Sequence, residues 1–322
     1  MSGTLGTVLA GRVGSMVWTL LAGSLVVFLV LNLLPGDPAT VMLGLDARPE
    51  TVAALHRQLG LDAPLPLRYL RWIGGLLSLH LGNSTTYGIP VSQLIGDRLR
   101  ITLPLAAITL VLSVAIGIPV GVAAAGRQGR ISDTAIMLAA QLFKAIPDFW
   151  GGVMLILVFS LTLRWLPSGG FPGWTPAPGA ALLALVLPAL ALALPQAAIL
   201  ARLMRSSTLG ALGQDFVRTA RAKGLTRHAA LWRHAVPNAL VPVVTLIGIQ
   251  FPLLLTGTVI VENVFNLPGL GRLVYEAINQ RDLLAVQDLV VLLVSTVVLV
   301  NFAVDLLSVR LDPRLASGGD RA

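Results

Sequence analysis

Residues Ile101–Ala125 read ITLPLAAITLVLSVAIGIPVGVAAA, a run without a single charged side chain. A helix of about 20 apolar residues crosses the hydrocarbon core of a bilayer, so this run is long enough to span a membrane. The rest of the chain agrees, because 55% of its 322 residues are hydrophobic and only 12% are charged. A soluble domain carries roughly a quarter charged residues. The sequence therefore predicts an integral membrane protein.

Five further apolar runs are long enough to span, so we predict an all-α, polytopic membrane protein with six transmembrane helices in a single domain. The first run is too long for the apolar part of a signal peptide, and no small-residue cleavage site follows it, so we interpret it as an anchor. The predicted spans are Val13–Leu34, Ile101–Ala125, Thr134–Leu166, Ala180–Ala201, Ala239–Ile260 and Ala285–Val309.

The distribution of basic residues between the loops predicts the orientation, since cytoplasmic loops carry an excess of Lys and Arg. With the N-terminus inside, the inner loops hold Arg12, Arg127, Arg130, Arg202, Arg205, Arg218, Arg221, Lys223, Arg227, Arg233, Arg310, Arg314 and Arg321. The acidic residues on that side are Asp133, Asp215, Asp312 and Asp320. We therefore expect both termini in the cytoplasm. The sequence pI of about 11.1 then reflects orientation in membrane lipid, and we expect no nucleic acid partner.

Residues 35–100, between the first two spans, form an unusually long segment on the extracytoplasmic side. Pro49 at a helix start, apolar residues at helical spacing and Gly60 past the end predict a short amphipathic helix. A second predicted helix, Leu67–Leu77, places arginines beside apolar and aromatic side chains, which suits the membrane interface.

The chain lacks the motifs of a membrane enzyme, such as H-E-x-x-H or G-x-S-x-G. It contains no cysteine, and its four histidines (His56, His80, His228 and His234) fall in three separate loops, so we expect no bound metal or cofactor. Neither Lys144 nor Lys223 stands in a phosphate-binding loop. If ATP powers this protein, another subunit must bind it.

One loop is far more basic than the rest of the chain: residues 215–237 read DFVRTARAKGLTRHAALWRHAVP. Asp215 favours a helix start, and Gly224 favours a helix end in the left-handed conformation. The small side chains between them would let a partner approach the backbone while arginines pair with its acidic groups. The alternative is a basic loop lying on anionic lipid. The residues by themselves leave both interpretations open.

The same loop resembles that of bacterial ABC-importer permeases, in particular the dipeptide and oligopeptide subfamily. The matching residues are Arg218-Thr219-Ala220-Arg221-Ala222-Lys223-Gly224, followed by His234-Ala235-Val236-Pro237. In that family the loop forms a coupling helix that docks into a groove of the ATPase subunit. The resemblance implies a cytoplasmic coupling loop over residues 202–237, with Arg218 to Gly224 and Pro237 as ATPase-coupling candidates.

Other segments resemble landmarks of this subfamily in the same order along nearly the whole chain. They are Leu34-Pro35-Gly36-Asp37-Pro38, Leu59-Gly60-Leu61-Asp62, Ile146-Pro147-Asp148-Phe149-Trp150, Trp165-Leu166-Pro167, the segment from Glu262 to Gly271, and Asp312-Pro313-Arg314. Two extracytoplasmic positions depart from the pattern: His80 and Arg100 stand where relatives usually have Asp and Pro.

The resemblance implies a complex in the bacterial cytoplasmic (inner) membrane. This permease would pair with a homologous second permease. On the cytoplasmic side the pair would contact two ATPase subunits (or one fused) that bind ATP and Mg²⁺. On the opposite side it would contact an extracytoplasmic substrate-binding protein. Di- and oligopeptides are the implied cargo, with nickel, haem, glutathione or another small solute as alternatives. An ion-coupled secondary transporter is the rival class. It would need carboxylates deep in the bundle, and only Asp148 clearly qualifies.

Two sets of residues are candidates for contact with other molecules. Lys144 and Asp148 lie in the third predicted span, where a charge costs about 3 kcal/mol or more. They would either line the pathway and meet the charged ends of a peptide, or form a structural ion pair. Glu262, Asn263 and Phe265 belong to a polar segment outside the fifth predicted span, and they are candidates for extracytoplasmic contact. That segment would either enter the mouth of the pathway as a short re-entrant piece or form a plain loop that contacts the binding protein.

Overall fold

The computed structural model describes residues 2–33, 38–43, 48–58 and 60–311. The Leu34–Pro38 and Asp312–Arg314 landmarks lie largely or wholly outside these residues. Within these residues the structure contains helices and no β-strand. The helices are α1 (Ser2–Leu33), α2 (Pro38–Leu43), α3 (Pro49–Gln58), α4 (Leu65–Leu77), α5 (Val91–Gly126), α6 (Ile131–Ala145), α7 (Asp148–Leu155), α8 (Pro178–Leu212), α9 (Asp215–Ala222), α10 (Arg227–Ala230), α11 (Val236–Val264), α12 (Leu270–Asn279) and α13 (Leu283–Leu311).

The all-α, polytopic prediction is confirmed by the number and apolar character of the long helices. Five segments are long and apolar enough to cross a membrane, and a sixth is a bent pair of helices. The five are Gly11–Leu33, Val91–Gly126, Pro178–Leu212, Arg227–Pro252 and Leu283–Val304. Each contains most of one predicted span, because a long run of apolar side chains leaves few alternatives to a membrane helix.

The third predicted span, Thr134–Leu166, is wrong as one continuous helix. It consists of α6 and α7, with α7 extended by a π-helical turn (Ile156–Thr162), and the two halves meet at 102°. Pro147 has no N–H to donate to a helix, and its ring disfavours the helical conformation at the residue before it. Ile146 accordingly has extended backbone angles, φ −76° and ψ 123°, and the chain turns there.

Several helix boundaries differ from the predicted spans. Helix α5 begins at Val91 and α8 continues to Leu212, well beyond their apolar cores, because polar residues do not end a helix unless a cap or a proline intervenes. Helix α12 was not predicted at all. Its buried residues Leu270, Leu273, Val274 and Ala277 have the spacing of one helix face. That pattern is present in the sequence, but it was overlooked because Pro-Gly turn residues precede the helix.

The chain divides into two compact units, and the first contains residues 1–101 and 269–302. It also contains α3 and α4, which confirm the two predicted amphipathic helices, and Gly60 has a left-handed φ of 66°. Helix α4 packs on α1 through the rings of Tyr69, Trp72 and Phe28. The core of this unit joins the start of α5 to α12 and α13.

The second unit contains residues 102–268 and 303–322, and it carries the basic loop. Its core is built from α5, α8, the π-helical turn Leu231–Ala235 and α11. Two glycines bring α5 and α8 close together. A Cβ added at Gly117 would lie 2.8 Å from the carbonyl oxygen of Ala197, and one at Gly121 would lie 2.7 Å from the Cβ of Met204. This close approach depends on the missing side chains.

Candidate functional site

Helix α9 is the first part of the basic loop, and both of its ends are fixed locally. Asp215 lies in the first turn, where a carboxylate favours the positive end of the helix dipole. At the other end Gly224 has a φ of 95°. The N–H of Gly224 donates to the carbonyl of Arg221 (2.9 Å) and that of Leu225 to the carbonyl of Ala220 (3.3 Å). This is a Schellman ending, so the predicted role of Gly224 as helix terminator is confirmed.

The two faces of α9 have opposite character. Val217 and Ala220 are 1% and 9% exposed, respectively, and hold the helix to the rest of the second unit. Ala220 was predicted to leave room for a partner, and that prediction is wrong because its side chain faces this chain's own core. The exposed positions of the predicted set are Arg218, Thr219, Arg221, Ala222, Lys223, Gly224 and Pro237. Helix α9 therefore presents a basic face with small residues to the outside.

The segment after α9 anchors the loop. Thr226 caps α10, its hydroxyl accepting a hydrogen bond from the N–H of Ala229 at 3.2 Å. Ala230, Leu231 and Ala235 are then buried, at 0%, 7% and 0% exposure. Leu231 and Ala235 share a core with side chains of α5, α8 and α11. The segment that follows α9 is therefore packed into the same core as these long helices.

A partly buried ion pair ties α6 to α8 within the same unit. The guanidinium of Arg205 donates through Nε to Asp133 at 2.6 Å and through its second nitrogen at 2.7 Å. The Asp133 side chain is 5% exposed and that of Arg205 is 29% exposed. In the sequence both residues stand out only as charges of the predicted inner loops. Their shared side and opposite sign were the available signal, but nothing in the sequence shows that residues so far apart meet.

Lys144 and Asp148 are separated by the bend between α6 and α7. Asp148 is the first residue of α7, while Lys144 is exposed in the last turn of α6. Within the described residues the two form no ion pair with each other, so the structural-pair alternative is wrong. Asp148 lies beside an apolar cavity of about 170 Å³ with side chains of α8. A Cβ at Gly257 of α11 would be 3.5 Å from its Oδ2.

Glu262 and Phe265 were predicted to contact a protein outside the membrane, but the structure buries them. They are 0% and 1% exposed, because α11 continues to Val264 and its last turn packs inside the second unit. Glu262 accepts a hydrogen bond from the Thr102 hydroxyl at 2.6 Å. The Phe265 carbonyl accepts one from the N–H of Gly170 at 2.8 Å. That prediction is therefore wrong for these two side chains, while Asn263 is half-buried and stays a prediction.

Comparison with known families settles what kind of protein has this fold and loop. Residues 117–317 match the family described as binding-protein-dependent transport system inner membrane component, and residues 7–106 match the model of the N-terminal part of such membrane components. The chain belongs to this family. The binding-protein-dependent permease is thus a multi-pass membrane subunit of an ABC importer, as its sequence motifs implied.

Individual relatives match the permease over almost its full length. A probable peptide ABC transporter permease of Sinorhizobium fredii is 39% identical, over 97% of this chain and 99% of the relative. A putative peptide transport system permease of Brucella abortus is 41% identical over 94% and 97%. The glutathione transport system permease of Salmonella paratyphi A is 37% identical over 94% and 97%.

Solved structures support the same fold for the permease. An inward-facing MetNI methionine ABC transporter aligns with a TM-score of 0.57 at 22% identity, covering 68% of this chain and 96% of that one. An amino acid ABC transporter aligns with a TM-score of 0.53 at 17% identity, over 68% and 94%. At such identities the likeness concerns the fold alone.

Proposed function

We propose that this permease forms half of a translocation pathway for di- or oligopeptides. The support is the concentration of peptide permeases among its relatives, at 39–41% identity over nearly the whole chain. The glutathione permease of Salmonella is 37% identical, and glutathione is itself a short peptide derivative. Because of this relative, a glutathione-like molecule is the alternative cargo that we favour next. Nickel, haem and other small solutes remain further alternatives within the same importer class.

The exposed face of α9 is the proposed docking site for an ATPase subunit, which would bind ATP and Mg²⁺. Arg218, Arg221 and Lys223 lie on the exposed side of a helix whose other side is buried in this chain. Fixed cations of this kind suit acidic groups on a partner protein. Because α9 is continuous with buried residues of α10 and the π-helical turn, movement of the ATPase would move the long helices of this unit.

The remaining parts of the proposed complex follow from the family's name and from charge. A binding-protein-dependent system needs an extracytoplasmic binding protein, and half of a pathway needs a second, homologous permease. Two ATPase subunits, or one fused, would complete it. We place the complex in the bacterial inner membrane, with both termini and residues 202–237 on the cytoplasmic side, because the basic residues concentrate there.

Asp148 is the proposed contact for the charged end of a peptide in transit. Its carboxylate lies at a break in a span, next to an apolar cavity and close to the backbone of Gly257. A carboxylate in such surroundings gains most from a cation, because the interaction is strong where water is scarce. An ammonium group of a peptide is a cation of the right kind. Lys144, which is exposed on α6, would contact the carboxylate end of the peptide independently of Asp148.

Co-purification with the partner subunits tests the docking proposal. In Gly224→Asp the left-handed φ of 95° becomes strained and a negative charge enters the basic face. We expect the variant to retain the second permease and lose the ATPase. Gly213→Asp is the matched control, because Gly213 is exposed in the same loop and has an ordinary φ of −78°. Loss of the ATPase in both variants, or in neither, would contradict docking on α9.

An ion-coupled secondary transporter is the alternative from another class. It would be recovered without an ATPase or a second permease, and uptake would depend on an ion gradient. Asp148→Asn would then abolish the ion dependence itself. In the importer, uptake follows ATP hydrolysis, and no single carboxylate of this chain sets an ion requirement.

A further inference from the structure

A cavity of about 490 Å³ lies beside the basic loop in the second unit. Its lining includes the apolar side chains of Pro119, Val122 and Leu231 and the cations Arg127, Arg130 and Arg227. We call this cavity the basic groove. Neither the docking face of α9 nor the proposed peptide contact at Asp148 includes any of these residues.

The charges of the basic groove are all of one sign. Within the described part of the chain, no acidic residue lines the groove, and its three arginines form no ion pair with a carboxylate. All three are exposed. Cations gathered around one concave surface favour an anion with several acceptor oxygens, because arginine binds phosphate and carboxylate through paired N–H groups.

The apolar part of the groove extends along a membrane helix. Its lining on α5 runs from Pro119 to Gly126 at the helix end, which at 1.5 Å per residue is about 10 Å of helix. The cations lie beyond the end of α5, in the loop that follows it and at the start of α10. A ligand that fills this shape has an anionic head and an apolar tail. A soluble phosphate would use only the head end, and a cytoplasmic protein would not reach 10 Å along a span.

A tryptophan also lines the groove. Trp232 is 47% exposed, and its indole N–H donates to Nε2 of His228 at 3.1 Å. Both residues line the groove. Tryptophan is enriched at the level of lipid headgroups, where its ring can be apolar on one side and hydrogen-bonded on the other. With α5 spanning the membrane as predicted, the groove would run from the headgroup level into the hydrocarbon.

We propose that the basic groove binds one anionic phospholipid, with its phosphate on Arg127, Arg130 and Arg227 and an acyl chain along α5. The proposal rests on the orientation given above, which places the groove in the cytoplasmic leaflet. There the lipid would contact α10 and Leu231, which connect α9 to the core. Anionic lipid would then stabilise the segment that carries the docking face.

The test measures lipid affinity directly, on the whole transporter purified with its partners and stripped of lipid. Phosphatidylglycerol and phosphatidylcholine are titrated separately, and the bound lipid is counted by native mass spectrometry. We expect one phosphatidylglycerol to bind more tightly than any phosphatidylcholine. Arg127→Gln/Arg130→Gln should weaken it by about fivefold per cation removed, roughly 25-fold in all. Ala123→Trp, which keeps the charges and fills the apolar part, should weaken it as well.

The matched control is Arg202→Gln/Arg233→Gln, which removes two exposed arginines outside the lining of the groove. It should bind phosphatidylglycerol like the wild type. Equal weakening in both double variants would overturn the site, and so would an unchanged affinity in Arg127→Gln/Arg130→Gln. Displacement of the lipid by equimolar glycerol 3-phosphate would show a soluble-anion site. Loss of the ATPase from Arg127→Gln/Arg130→Gln, with its lipid affinity unchanged, would make the groove a protein contact.

Because binding is read without transport, failure of the lipid site and failure of the importer function are distinguishable. A transporter that binds phosphatidylglycerol but recruits no ATPase would contradict the proposed function alone. One that recruits the ATPase and imports peptide, with no preference for phosphatidylglycerol, would contradict the lipid site alone.

Discussion

The hydroxyl of Thr102 donates a hydrogen bond of 2.6 Å to a carboxylate oxygen of Glu262, and both side chains are buried, at 1% and 0% exposure. The bond joins α5 to the last turn of α11. Residues so far apart in sequence hold one end of the second unit together. Glu262 therefore binds a partner within this chain. Its position in a family landmark had suggested a contact with another protein instead.

Replacing Thr102 tests this bond. Thr102→Val keeps the shape and removes a donor to a buried carboxylate, so we expect a loss of about 1–2 kcal/mol in the free energy of unfolding. Thr102→Ser keeps the hydroxyl and should lose less. The measurement is thermal unfolding of the purified transporter in detergent. Equal Tm values for the two variants would show that the hydrogen bond contributes nothing.

Gly121 determines how closely α5 approaches α8. Because an added Cβ would lie 2.7 Å from the Cβ of Met204, Gly121→Ala should destabilise the protein by about 1–3 kcal/mol through overpacking. Gly96→Ala is the control on the same helix, since nothing lies within 4 Å of its added Cβ. That change should be neutral or slightly stabilising. Thermal unfolding distinguishes the two, and a similar loss in both would attribute the effect to the helix backbone.

The pair of Arg205 and Asp133 uses the planar geometry of the guanidinium, with bonds of 2.6 and 2.7 Å. Arg205→Lys keeps the charge but cannot donate in parallel to both carboxylate oxygens. We expect Arg205→Lys to lower the Tm, and Arg205→Gln to lower it further because a buried carboxylate loses its cation. If Arg205→Lys had the same Tm as the wild type, the positive charge alone would account for the stabilisation by this pair.

Asp148 and Lys144 should act independently in transport, because they form no pair. Asp148→Asn should reduce peptide uptake about 10- to 100-fold if it binds a peptide ammonium, the effect of losing one charge-assisted contact. ATP hydrolysis should persist. The double variant with Lys144→Gln should show the product of the two single effects, since separate sites are additive. Uptake that stays unchanged in Asp148→Asn, measured in proteoliposomes, would remove this residue from the pathway.

The sequence was informative wherever one physical property dominates. Apolar runs placed most of the membrane helices, because a backbone in lipid must satisfy its own hydrogen bonds. The left-handed ends at Gly60 and Gly224 followed from glycine's freedom at positive φ. The basic loop and its family motif indicated the transport class that the comparisons confirm.

Features that depend on contacts between residues distant in sequence could not be predicted. The burial of Ala220 and Glu262 and the pairing of Asp133 with Arg205 depend on which helices pack together, and local patterns do not contain that information. Pro147 indicated a break, but neither the angle of 102° nor the packing of α7 on α8 and α11 can be read from local sequence. Helix α12 shows that an amphipathic face can be missed when it is short and bounded by turns.

The most direct test of the docking face uses the absence of cysteine from this chain. Single cysteines are introduced as Ala222→Cys on the exposed side of α9 and as Ala220→Cys on its buried side. A short thiol-to-amine cross-linker is then applied to the transporter in native membranes. We predict an adduct with the ATPase subunit from Ala222→Cys and none from Ala220→Cys. No adduct from Ala222→Cys, while the ATPase co-purifies with it, would contradict coupling through this helix.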